Sequence, residues 1–81
     1  MSKVVVYSKE NCYPCKMTKK LLEDRGVDFE EIMVSGDTDG EQIIDLLREK
    51  GHRGFPVILV DGVWENSFNG FRPDLIAGVK N

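Results

Sequence analysis

Apolar residues fall along the chain in short runs whose period changes from one run to the next. Val4-Val5-Val6-Tyr7 is continuous and β-branched, the pattern of a strand buried on both faces. Met17, Leu21 and Leu22 share one face of a helical stretch that reaches Arg25, and Gly26 is placed to close it with a left-handed cap. Asp28 to Val34 reads as a second strand, interrupted by Glu30 and Glu31. Thr38-Asp39-Gly40-Glu41 fits a capping box with Thr38 as N-cap. The helix it opens puts Ile43, Ile44 and Leu47 on one face and stops near Gly51. Pro56-Val57-Ile58-Leu59-Val60 is a third strand. Asp61-Gly62 is a strong hairpin signal, so Val63-Trp64-Glu65-Asn66 should return antiparallel. A last short helix holds Leu75, Ile76 and Val79, with Pro73 suited to its first turn.

The order is β-α-β-α-β-β-α, an α/β arrangement. The first β-α-β unit should be parallel and right-handed and the later hairpin antiparallel, giving a four-stranded mixed sheet covered by three helices. At 81 residues this is one domain, 1–81, with no repeat or linker. Net charge is −3, so the global balance gives no nucleic-acid footprint. The N-terminus lacks the long apolar stretch of a signal peptide and no segment is long enough to span a bilayer. A secreted domain this small usually carries more than two cysteines, so a reducing cytoplasm is the expected compartment.

Those two cysteines lie three apart in Cys12-Tyr13-Pro14-Cys15. A bridge so short restrains the unfolded chain little, which makes the pair a poor staple and a candidate for chemistry. A C-x-x-C motif that follows a strand and opens a helix is a redox signal in such a chain. The spacing brings both sulfurs within bonding reach while leaving the first at the helix start, where unpaired N–H groups favour a thiolate. Cys12 is the expected nucleophile and Cys15, one turn in, the resolving thiol. Lys9 or Lys16 would add favourable charge, although Lys9, Lys16, Lys19 and Lys20 also read as a solvated face. Pro14 fixes the backbone before Cys15. Zinc needs about four ligands, and beyond the pair the chain offers one histidine, so no metal site is expected. His52, between Lys50 and Arg53, reads as an ordinary exposed histidine. Pro56 cannot donate to a ladder and belongs at the first position of its strand.

The element order, the Cys-Tyr-Pro-Cys motif, Phe55-Pro56 and the stretch Phe68-Asn69-Gly70-Phe71-Arg72-Pro73-Asp74 resemble a glutaredoxin, and more narrowly the NrdH-type redoxins. The resemblance implies a thioredoxin-like fold with Pro56 in cis, packed against the cysteine loop. It implies that the Phe55 backbone pairs with a bound substrate strand. It further implies reduction of a disulfide in class Ib ribonucleotide reductase, with recycling by thioredoxin reductase and electrons ultimately from NADPH. No bound cofactor is implied beyond the redox-active Cys12–Cys15 disulfide, and the chain is expected to act as a monomer.

Two departures bear on the reductant. Glutaredoxins typically read Cys-Pro-Tyr-Cys, whereas Tyr13-Pro14 reverses the middle pair, and NrdH-type proteins usually carry other middle residues, often glutamine. The glutaredoxin Gly-Gly pair that holds glutathione is replaced by Asn69-Gly70, followed by the bulk of Phe71 and Arg72, which argues against a glutathione cradle. Lys9, Tyr13 and Asp74 would still be able to touch that tripeptide, so a glutathione-dependent glutaredoxin is the alternative. Phe71 reads equally as a binding residue and as core filler. A different class, a partner-binding module using the Phe55 edge or an iron–sulfur carrier, remains a further alternative.

Overall fold

A computed structural model of the chain describes residues 3–34 and 38–79. The elements, in chain order, are β1 (Val4–Lys9), α1 (Tyr13–Asp24), β2 (Glu30–Val34), α2 (Thr38–Glu49), β3 (Val57–Val60), β4 (Val63–Asn69) and α3 (Pro73–Ile76). The strands form one sheet in the order β2-β1-β3-β4. β1 pairs parallel with β2, and antiparallel with β3, which pairs antiparallel with β4. This is the thioredoxin-like α/β architecture, a four-stranded mixed sheet with three helices.

Strand alternation divides the core between the two faces. Val4, Val6 and Ile58 point to one face, where they pack with Leu22 of α1, Ile76 of α3, Val27 and Val79. Phe29 and Phe68 close over the edge of that cluster. Val57 and Leu59, also buried, point the other way, to the side where α2 lies against β2. Burying each of these aliphatic side chains contributes about 1.5–3 kcal/mol.

Both long helices end as glycine permits. Gly26 and Gly51 take left-handed backbone, φ 72° and 91°. Val27 N–H donates to Leu22 O and Gly26 N–H to Glu23 O, a Schellman closure, and His52 and Gly51 repeat it onto Leu47 O and Arg48 O. Asp61 and Gly62, both with positive φ, make the β3–β4 turn.

Several expected boundaries move. α2 begins at Thr38 itself, while the Thr38 side chain, and the capping box with it, lies outside the described residues. β2 starts at Glu30 rather than Asp28. β4 runs on to Asn69, past the expected end at Asn66, because a register shift in the hairpin leaves Val57 and Ile58 facing Asn69 and Phe68. α3 stops at Ile76, so the buried Val79 packs from beyond the helix.

Candidate active site

β1 and β3 are antiparallel, so the end of β1, the start of β3 and the end of β4 gather at one edge of the sheet. Past Lys9 the chain turns through Asn11 at φ 56°, a left-handed conformation asparagine tolerates better than most residues. That turn delivers Cys12 as the N-cap of α1 in extended backbone. Its Sγ accepts from Cys15 N–H at 3.2 Å, and its carbonyl accepts from Lys16 N–H at 3.2 Å. Sulfur thus sits where a serine or aspartate oxygen usually caps a helix. Pro14 occupies the first turn, where a missing N–H costs least.

Cys12 and Cys15 are joined by a disulfide with their Cα atoms 5.2 Å apart, inside the ordinary range. Cys12 retains 5% exposure and Cys15 1%, so an incoming sulfur meets Cys12 first. Tyr13 stands out at 71% exposure beside them.

The Phe55–Pro56 bond is cis and Pro56 is fully buried. The Pro56 carbonyl accepts from Gly70 N–H at 2.9 Å. Gly70, the first residue past β4, has φ 83°, which only glycine adopts without strain, and this bond ties it to the loop before β3. Lys9 Nζ lies 5.7 Å above the centre of the Phe55 ring, linking the ends of β1 and of that loop. The expected residues Lys9, Phe55, Pro56 and Gly70 are thereby brought together.

Others are not. Asp74 is exposed and held by Arg72, whose Nε and Nη2 donate to it at 3.3 and 3.2 Å. Hydrogen bonds from that guanidinium keep the Asp74 carboxyl below its usual range. Phe71 is exposed and stays out of the core, whereas Phe68 packs against it. Of the four lysines near the cysteines, Lys19 turns to Glu31, while Lys16 and Lys20 are exposed. Ser8, fully buried, donates to the same Glu31 oxygen at 2.7 Å. The Lys19 hydrogen bond chiefly, and the Ser8 bond with it, hold the Glu31 carboxyl below its ordinary range.

His52 corrects the sequence reading: it is buried, not exposed. Its Nδ1 meets Asn69 Oδ1 at 3.0 Å and its Nε2 meets Ser67 Oγ at 2.7 Å. Ser67 Oγ in turn donates to Trp64 O. Gly51 supplies the signal that was missed. A left-handed residue at the helix end sends the following one back over the last turn, a place usually filled by a side chain packing inward. Trp64, stacked on Tyr7, lies 6.5 Å from the His52 ring, with Lys50 over its face. Among the described residues no three His, Cys, Asp or Glu side chains come together as a metal site, and no helix is long and apolar enough to cross a membrane.

Comparison with known proteins agrees with this geometry. The glutaredoxin family model matches residues 4–64. The glutaredoxin-like protein NrdH of Lactococcus lactis subsp. lactis is 39% identical over 74 residues, covering 91% of this chain and 94% of that one. The Salmonella typhimurium NrdH is 37% identical over 73 residues, 90% of this chain and 83% of that one. The structure of the Escherichia coli NrdH-redoxin, a glutaredoxin-like protein with a thioredoxin-like activity profile, superimposes with a TM-score of 0.81 at 33% identity, covering 98% and 96% of the two chains.

Proposed function

The chain belongs to the glutaredoxin family, beside its NrdH-type redoxins, and on that premise we propose that this disulfide oxidoreductase is an electron donor to class Ib ribonucleotide reductase, recharged by thioredoxin reductase from NADPH. The observation that carries the mechanism is the sulfur at the helix cap. In the reduced protein the Cys12 thiolate keeps the Cys15 N–H as donor and the positive end of α1 beneath it.

Cys12 Sγ attacks one sulfur of the target disulfide. A Cys12–target bond forms, the target disulfide breaks, and the second target sulfur leaves as a thiolate that takes a proton. Cys15, deprotonated, then attacks Cys12 Sγ, forming the intramolecular disulfide and releasing the first target sulfur. Two electrons pass to the target, and the oxidised state with its Cys12–Cys15 bond is the one described above. The target strand lies along the Phe55 backbone, flanked by Lys9, Tyr13, Pro14, Gly70 and Phe71.

Three features favour thioredoxin reductase over glutathione. Asn69 stands where a glutathione cradle needs glycine, Phe71 is exposed beside it, and Asp74 is already neutralised by Arg72. The thioredoxin-like profile of the Escherichia coli relative points the same way. On this reading the protein works in the cytoplasm. The test is a coupled assay: with NADPH, thioredoxin reductase and insulin, the protein should consume NADPH. Turnover supported only by glutathione and glutathione reductase would replace this reading with the glutaredoxin one. Full activity of a Cys12→Ser variant in cells would replace both with a binding module, and an iron-containing preparation would indicate the cluster carrier.

A further inference from the structure

On the α2 side of Phe55 lies a cleft of about 130 Å³, lined by Ile44, Leu47, Arg48, His52, Arg53, Gly54 and Phe55. The chain has four arginines. Arg25 donates to Ala77 O and Arg72 pairs with Asp74. The guanidinium groups of Arg48 and Arg53 have no partner among the described residues, and both line this cleft. Among the described residues no acidic one lines it, although the chain as a whole is acidic at −3. A positive lining is therefore a local feature and not a reflection of composition.

We propose that this cleft is a specificity subsite for a carboxylate side chain, an aspartate or glutamate carried by the target strand a few residues from its reactive cysteine. The proposal rests on the reading that the strand runs along Phe55. Alternate residues of an extended strand point to one side, so one of them faces the cleft while the cysteine meets Cys12. The floor is apolar, from Ile44, Leu47 and the Phe55 ring. Both nitrogens of His52 are engaged by β4, so it lends ring surface only. Guanidinium groups offer a planar fork that matches a carboxylate. Arg48 has a second duty, since a cation in the last turn of α2 offsets the helix dipole. Arg53 lies beyond the helix end and has none.

The same chemistry has another source, a carboxylate of glutathione, and the experiment separates the two. Reduced protein is mixed in single-turnover stopped flow with seven-residue peptides whose one cysteine is disulfide-linked to 2-mercaptoethanol. A single Asp is walked through an otherwise neutral peptide, and glutathione disulfide forms a parallel arm. Asp at one or two positions should raise the second-order rate about tenfold over the neutral parent, roughly 1.4 kcal/mol. In the Arg48→Gln/Arg53→Gln double variant that preference should fall below about twofold, and salt should erode it in the wild type. No favoured Asp position, or a preference that survives in the double variant, overturns the proposal. So does a double variant slowed only towards glutathione disulfide. A neutral parent that the wild type fails to reduce overturns the strand reading itself, and the cleft assignment with it.

Discussion

The two long helices serve the site from opposite ends and by opposite means. α1 presents Cys12 at its start, and every bond that sets the sulfur in place joins residues within four positions: Cys15 N–H to Sγ, Lys16 N–H to the Cys12 carbonyl. α2 presents His52 just past its end, and the bonds that hold it reach Ser67 and Asn69, 15 and 17 positions away. The first device is chemistry on a local frame. The second is a long-range clasp that joins the α2 terminus to the end of β4, next to Gly70 and the cis proline loop it supports. A helix start displays unpaired donors and so suits a reactive anion. A helix end closed by glycine turns the chain inward and so suits a tie.

Substitutions at the two ends should therefore separate function from stability. Cys12→Ser should bring insulin reduction down to the uncatalysed background, the largest effect expected. The serine oxygen still accepts from Cys15 N–H, so the denaturation midpoint should stay close to that of the reduced wild type. His52→Ala should do the reverse. It empties a buried ring and leaves the Asn69 and Ser67 partners unmatched, a cost of about 2–4 kcal/mol in urea unfolding. Thiol–disulfide exchange by the fraction that remains folded should persist. A Cys12→Ser protein that is strongly destabilised, or an inactive but stable His52→Ala protein, would erase the distinction.

The same contrast explains what could be read from the chain alone. Element order followed from Val4 to Tyr7, the Asp61-Gly62 turn and the glycines at the helix ends, because period and turn chemistry act over a few residues. The cysteine pair was legible for the same reason. Residues 67–69 lie past the expected strand end, since the polar Ser67 and Asn69 make sense in a strand only beside His52. Phe68 and Phe71 look alike in sequence, and only the β3 register decides that Phe68 packs against the core while Phe71 faces solvent. The cis bond before Pro56 and the proposed strand-binding role of Phe55 come from family resemblance alone, because one proline gives no local reason for either.

α1 also contains a misfit to its own core. Thr18 is fully buried in α1, and its hydroxyl has no hydrogen-bond partner among the described residues. Valine has nearly the same shape and helix preference without the unsatisfied group. Thr18→Val should raise stability by about 1 kcal/mol in urea denaturation, with exchange activity unchanged. A loss of stability would show that the hydroxyl is satisfied in solution.

The smallest effect should come from the edge between α1 and β2, where Lys19 and Ser8 share Glu31. Their hydrogen bonds lower the Glu31 carboxyl below its ordinary value of 4.5. A depressed carboxylate contributes stability that is present above its unfolded pKa and is lost as pH falls through the folded one. The pair is partly solvated, with side-chain exposures of 25% and 33%, so it is worth about 0.3–1 kcal/mol. Urea midpoints of wild type and Glu31→Gln should therefore differ by that amount from pH 7 down to about 5. Below pH 4.5 the two curves should converge as Glu31 takes up its proton in the wild type. A difference that stays constant into acid would assign the effect to packing of the side chain and not to its charge.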